Sequence, residues 1–186
     1  VLRRSPRARA RGRGHGQIAN AVSISERPAE ADDRAVPGHW EGDLLAGGGN
    51  THIITLAERS TRYCMLLKVP SKRTDDVVAA LTANVQRLPE QLRRSLTWDR
   101  GKELASHQRF TIDTGVQVYF CDPQGPWQRG TNENLNGLLR QYLPKGMNLA
   151  RFSQNELDEI ALRLNTRPRK TLGYLTPSAK LNELLR

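Results

Sequence analysis

The sequence predicts an α/β fold, and three observations carry that expectation. Three β-prone runs follow one another at 39–46, 51–57 and 62–69. Helical and strand-like segments then alternate as far as residue 121, and amphipathic helical segments close the chain. Three strands, a helix, a strand, a helix, a strand and then helices give a five-stranded sheet flanked by helices.

The first three runs are separated by Gly47-Gly48-Gly49-Asn50 and by Glu58-Arg59-Ser60-Thr61, turn-forming segments that predict an antiparallel meander. Thr74 is placed to cap a helix with Asp75 and Asp76 in its first turn. Val77, Leu81, Val85 and Leu88 recur on one face of it until Pro89 stops it. A strand follows at 95–99, with Leu96 and Trp98 on one face and Thr97 and Asp99 on the other. A helix over 102–114 ends at Gly115, and 116–121 is the fifth strand. Residues 123–126 form a loop. The segment 128–142 is a helix whose apolar stripe is Leu135, Leu138, Leu139 and Tyr142, and this puts Glu133, Gly137 and Arg140 on the opposite side. Two more helices are expected at 153–164, where Ser153 and Glu156 fit a capping box, and at 177–185, where Pro177 suits a first turn.

Residues 1–37 are expected to form a basic disordered arm or linker, with residues 38–186 as the folded core. The first 20 positions hold six arginines and no acid, and large apolar residues are scarce there. Such an arm either lies along phosphates or is a solvated linker. The whole chain has a net charge of +10 and a pI near 10.3, which favours nucleic acid as the polyanionic partner. Membrane is disfavoured, because no amphipathic basic helix, membrane span or signal peptide is apparent. Cys64 and Cys121 lie in apolar strand-like runs without metal-ligand spacing, so they are expected to be buried free thiols in a reducing compartment. A cytoplasmic, nucleoid-associated location follows from these features.

Three acids in readable contexts suggest the chemistry. Asp43 stands in His39-Trp40-Glu41-Gly42-Asp43-Leu44-Leu45, Asp99 in Leu96-Thr97-Trp98-Asp99-Arg100-Gly101-Lys102-Glu103, and Glu133 in Trp127-Gln128-Arg129-Gly130-Thr131-Asn132-Glu133-Asn134. Two aspartates at strand ends and a glutamate on a later helix suit an oxygen-only site for two divalent ions acting on a phosphodiester. Spacing alone is weak evidence, because 19 of 186 residues are acidic. Each acid also has an ordinary alternative: Asp43 as a solvent-facing strand residue, Asp99 as a helix cap, Glu133 as a surface residue. Arg129, Asn132, Asn136, Arg140 and Lys145 weigh against the last, since they crowd one carboxylate with donors suited to phosphate oxygens. Trp127 could stack a splayed base or pack a turn. His39, His52 and His107 lack the spaced partners of a catalytic triad and are structural, and no P-loop is present.

These words, together with Tyr119-Phe120-Cys121-Asp122-Pro123, Gly137-Leu138-Leu139-Arg140-Gln141-Tyr142, Pro144-Lys145-Gly146 and the run from Asn165 to Gly173, resemble the catalytic core of bacterial transposases of the insertion sequence 30 family. The likeness extends from about Glu26 to Arg186. It implies a ribonuclease-H-like integrase core with a mixed sheet, and a catalytic, metal-binding triad of Asp43, Asp99 and Glu133 holding two Mg2+ or Mn2+ ions. The implied reaction is cleavage at element ends followed by attack of the freed 3′ hydroxyl on target DNA. The partners implied are DNA, contacted by Arg129, Asn132, Arg140 and Lys145, and further copies of the chain in a homo-oligomer. Two departures stand out. Gln124-Gly125 replaces a common His-Ser, and the family's amino-terminal helix-turn-helix region is not represented after Val1, as expected of a fragment or a decayed remnant. Two rival functions follow: a nonspecific nuclease on the same fold, and an inactive product that only binds DNA or dimerises.

Overall fold

The structure is a computed structural model that describes residues 17–186 except Gln124. Five strands form one sheet: β1 (His39–Ala46), β2 (His52–Glu58), β3 (Cys64–Lys68), β4 (Ser95–Trp98) and β5 (Gln117–Phe120). Their spatial order is β3-β2-β1-β4-β5. The β1–β2 and β2–β3 pairs are antiparallel, as the meander predicts, while β1–β4 and β4–β5 are parallel. The helices are α1 (Glu30–Asp33), α2 (Thr74–Val85), α3 (His107–Thr114), α4 (Gly130–Leu139), α5 (Gln154–Asn165) and α6 (Pro177–Leu184).

Side-chain alternation along the strands builds two cores. On one face Trp40, Ile54, Leu56, Leu96, Trp98, Val118 and Phe120 pack with Val77 and Leu81 of α2 and Phe110 of α3. On the other, Leu45, Ile53, Ala57, Cys64 and Leu66 pack with Leu135 and Leu139 of α4 and Leu157, Ala161 and Leu164 of α5. Glu41 and Asp43 alternate in phase with Leu45 and so share the α4 face. The sheet is therefore covered on both sides.

Gly42 is where the two faces constrain each other. A Cβ there would lie 2.3 Å from Cζ3 of Trp98 and 3.1 Å from Leu56, so the indole of β4 requires a residue without a side chain in β1. Gly42→Ala is expected to destabilise the fold by about 1–3 kcal/mol through overpacking. Urea unfolding measures it, and an unchanged midpoint would refute the contact.

Residues 17–37 are folded, against the expectation of a disordered arm up to Pro37; residues 1–16 of that arm lie outside the described residues. Ser23 forms a parallel bridge with Phe120, and the Phe120 N–H donates to the Val22 carbonyl at 2.8 Å, so this segment covers the β5 edge. Ala31 is fully buried, and Arg59 Nε donates to its carbonyl at 2.8 Å. The anchors are backbone pairing and arginine contacts, which an apolar-residue count does not register.

Other differences are local. The helix expected over 102–114 divides into a 3-10 turn at Lys102–Leu104 and α3, because the Ser106 N–H donates to Thr74 Oγ1 at 3.0 Å rather than within a helix. Thr74 therefore does not cap α2, whose N-cap is Arg73. Gly115 closes α3 in the left-handed region with φ 73°. The segment 128–142 divides into a 3-10 turn at Pro126–Arg129 and α4. The Ser153–Glu156 capping box is formed, and Thr176 caps α6.

Both cysteines are free and buried; burial pushes the Cys64 thiol up to about 12 and Cys121 up to about 11. His39 is buried, with Nδ1 2.7 Å from Ser95 Oγ and Nε2 3.2 Å from Glu30 Oε1. Burial holds its pKa below the usual value although Glu30 pulls the other way. The folded state thus favours the neutral ring, and the unfolded chain takes up the proton first as pH falls. The contribution is complete above the ordinary value of 6.5 and is lost below it, as pH falls through the folded value. The urea midpoint is expected to drop between pH 7.5 and 5.5, and His39→Gln to flatten that drop; an equal drop in the variant would remove His39 from the account.

Candidate active site

The two aspartates meet through strand register. Glu41 pairs with Thr97 across the parallel β1–β4 ladder, and Asp43 and Asp99 each lie two residues further on. They therefore project from the same face of neighbouring strands, at the C-terminal end of β4, where α/β sheets present ligand-binding groups.

Each carboxylate is oriented by neutral donors. Asp43 Oδ1 accepts from the Leu44 N–H at 2.8 Å and its Oδ2 accepts from Asn136 Nδ2 at 3.0 Å. Asp99 Oδ1 accepts from the Gly101 N–H at 2.8 Å. One guanidinium joins the pair: Arg129 Nη1 is 3.3 Å from Asp43 Oδ1, and Nη2 is 3.6 Å from Asp99 Oδ2. Arg129 Nη1 also donates to the Gly42 carbonyl at 3.0 Å. Burial works against the charged form of Arg129, but Asp43 and then Asp99 outweigh it and hold its pKa above the usual arginine value. Asp43 and Asp99 keep 25% and 42% of their side-chain surface exposed, against 11% for Arg129, so the acids remain reachable from solvent.

Glu133 stands in the first turn of α4 and is exposed, on the side away from the apolar stripe as the periodicity predicts. The structure does not gather it with the aspartates. Among the described residues no three of His, Cys, Asp and Glu lie close enough to share a metal ion.

The other expected DNA contacts divide. Lys145 is exposed at the exit of α4. Arg140 donates to the carbonyls of Leu143 and Ala46 at 3.3 and 3.2 Å and keeps part of its surface. Asn132 is a correction: it is fully buried, and its Nδ2 donates to the carbonyls of Glu41 at 3.0 Å and Thr55 at 3.1 Å. It pins α4 to the sheet and is not available to a phosphate. Trp127 is 74% exposed, so it does not pack a turn. It lines the mouth of a cleft of about 390 Å3, with Arg27, Arg34, Arg59 and Gln128 also on its wall.

Glu41 carries a role that the sequence does not announce. It is fully buried; its Oε1 accepts from Arg59 Nη1 at 2.5 Å and its Oε2 accepts from the Asn132 N–H at 2.9 Å. A buried anion thus holds the N-terminal turn of α4. Arg27 reaches Thr97 Oγ1 at 3.0 Å and also pairs with Asp32. The one available signal is that Glu41 shares the Asp43 face; nothing in the run from Ser25 to Pro28 marks Arg27 as a buried partner of the sheet.

A model of the Integrase core domain matches residues 33–126, half of the chain and both aspartates. This chain belongs to the integrase core family. The integrase core has a ribonuclease-H-like fold, and the mixed five-stranded sheet with helices on both faces is that fold. The chain is 56% identical over 165 residues to the transposase InsI for insertion sequence element IS30C of Escherichia coli (strain K12), covering 89% of this chain and 43% of that protein. It is 51% identical over 184 residues to the transposase for insertion sequence element IS1086 of Cupriavidus metallidurans, covering 98% of this chain and 54% of that protein. To the transposase for insertion sequence element IS4351 of Bacteroides fragilis it is 35% identical, over 98% of this chain and 56% of that protein. The resemblance to insertion sequence 30 transposases thus extends over most of this integrase core. The chain spans about half the length of the curated relatives it matches.

Integrase cores generally use divalent metal ions, and transposases act on DNA. The donor set at Asp43 and Asp99 suits a hard cation: oxygen atoms only, on two adjacent, partly exposed carboxylates. Among the described residues no helix is long and apolar enough to cross a membrane.

Proposed function

We propose that this chain is the catalytic domain of a transposase of the DDE type, cutting DNA at element ends and joining the freed 3′ hydroxyl to target DNA. The observation that carries the reading is the acidic pair, Asp43 and Asp99, side by side on one sheet face and open to solvent. In this reading Asp43, Asp99 and Glu133 hold two Mg2+ or Mn2+ ions. Bound there, the ions would stabilise the attacking and leaving oxygens of an in-line displacement.

The chain's own residues supply position and charge. The N–H groups of Leu44 and Gly101 and the amide of Asn136 hold the two carboxylates in fixed orientations, so little reorganisation is left for the reaction. Arg129, Arg140 and Lys145 contribute positive charge along α4 and its exit to lie against phosphates. Trp127 offers an exposed ring for an unstacked base. Transposition brings two element ends together, so by analogy a homo-oligomer is part of the proposal, as is work on DNA in the cytoplasm.

The test is strand joining. Labelled duplex carrying element ends is incubated with Mg2+ and target plasmid, and products are resolved by size. Joined product is the expected outcome. Cleavage without joining would instead identify a nuclease on this fold, and DNA binding with neither would identify a remnant.

A further inference from the structure

We propose that Arg129 is a stand-in cation for the acidic pair: it neutralises Asp43 and Asp99 until a divalent ion enters, then yields both carboxylates and turns to a DNA phosphate. The inference rests on the reading of the pair as metal ligands.

Four observations carry it. First, two carboxylates from adjacent strands face one another, and such pairs repel unless a cation stands between them. The Arg129 guanidinium stands there, with one terminal nitrogen toward each acid. Second, its hold on the acids is loose, its one short contact being the Nη1 hydrogen bond to the Gly42 carbonyl at 3.0 Å. The separations of 3.3 and 3.6 Å exceed the ~2.7–2.9 Å of a tight charge-assisted hydrogen bond, and the contact is not the bidentate fork that arginine makes with one carboxylate. Third, the groups that orient the carboxylates are separate from it. Leu44 N–H, Gly101 N–H and Asn136 Nδ2 are neutral donors, so Arg129 can leave without disordering either acid. A divalent ion supplies twice the positive charge at shorter range, and its entry would release Arg129 from the acids and from the Gly42 carbonyl.

Fourth, Arg129 is the N-cap residue of α4, with φ −122° and ψ 35°, outside the helical region. Its movement does not require the helix to unwind. Glu133 stands in the first turn of the helix that Arg129 precedes, and is exposed. Two carboxylates and one guanidinium leave the site net negative, which repels a third carboxylate. Exchange of the guanidinium for a divalent ion removes that repulsion. Loss of Arg129 from the pair and approach of Glu133 to it are therefore favoured by the same event.

The decisive measurement is Mn2+ binding without DNA, by calorimetry and by the paramagnetic resonance of free Mn2+, on the full chain. Wild type, Arg129→Ala, Arg129→Lys and Asp99→Asn are compared, with circular dichroism to establish folding. Arg129→Ala is expected to bind Mn2+ about five- to tenfold more tightly, because a competing cation has been removed. Arg129→Lys, which keeps the charge, should stay near wild type. The gain should vanish when Asp99→Asn is added. If Arg129→Ala does not fold, Arg129→Met keeps the stem and carries the same expectation. A second arm measures duplex binding: with Ca2+ present Arg129→Ala should lose affinity, and in chelator it should lose little.

Unchanged or weaker Mn2+ binding by Arg129→Ala overturns the proposal and leaves Arg129 a fixed structural partner. If wild type binds Mn2+ and Asp99→Asn does not, the acidic pair stands as a metal site whichever way Arg129 falls. If neither wild type nor Arg129→Ala binds Mn2+, both the stand-in role and the metal site fail together.

Discussion

Asp43→Asn is expected to lower Mg2+-dependent cleavage and joining by about a thousandfold or more while leaving DNA binding within a few-fold of wild type. Asparagine keeps the size of the side chain and one oxygen, so the β1 backbone and the two cores have no reason to move. What it removes is negative charge at the place where a hard cation needs it. Loss of a metal ligand costs several kcal/mol of transition-state stabilisation, and each 1.36 kcal/mol is about tenfold in rate. The phosphate contacts proposed for Arg140 and Lys145 are untouched, and affinity for DNA depends mainly on such charges. The same loss is expected for Asp99→Asn. Glu133→Gln joins the set if α4 delivers the third carboxylate to the pair. Single-turnover kinetics on labelled duplex, with binding measured in parallel, distinguish these outcomes. Activity of Asp43→Asn near the wild-type level would remove the acidic pair from the chemistry.

The second large effect is on stability. Glu41→Ala is expected to cost about 3–5 kcal/mol, the range for breaking a buried ion pair by removing one partner. Glu41 is fully buried and Arg59 nearly so, so truncation strands a guanidinium in the interior. It also removes the acceptor of the Asn132 N–H at the start of α4, one of the orphan donors every helix begins with. A domain of this size has about 5–15 kcal/mol in total, so the variant loses a large share. Glu41→Gln keeps an acceptor but not the charge and should fall between. Glu41→Gln combined with Arg59→Met should recover part of the loss, because no unpaired charge remains. Urea unfolding reports all three. A loss under 1 kcal/mol for Glu41→Ala would mean that Arg59 finds solvent or Asp32 instead.

The consequence reaches the site. Glu41 and Asn132 tie α4 to β1, and α4 carries Asn136 against Asp43 and follows directly on Arg129. Sequence reasoning took Asn132 for a DNA contact because polar residues on a helix near a basic cluster usually face solvent. Burial of such a residue becomes visible only when its partners, the carbonyls of Glu41 and Thr55, are brought to it across the sheet.

What the sequence by itself determined is whatever follows from short-range pattern. β-prone runs between turn segments produced the meander, period 3.6 produced the core faces of α2 and α4, and Ser153 with Glu156 produced a cap, because backbone geometry and local hydrogen bonds set these within a few residues. Motif words also marked Asp43, Asp99 and Glu133 as one set, since the residues around each are specific, and of these the structure brings the two aspartates together. Only the tertiary structure decided what depends on distant partners. It set β1 beside β4 so that the two aspartates share a face, placed the Arg129 guanidinium between them, buried Glu41 with Arg59, and paired Val22 and Ser23 with the β5 edge. In each case the energy comes from charges and backbone groups that meet only after the chain has folded, and no local run of residues records which of them will meet.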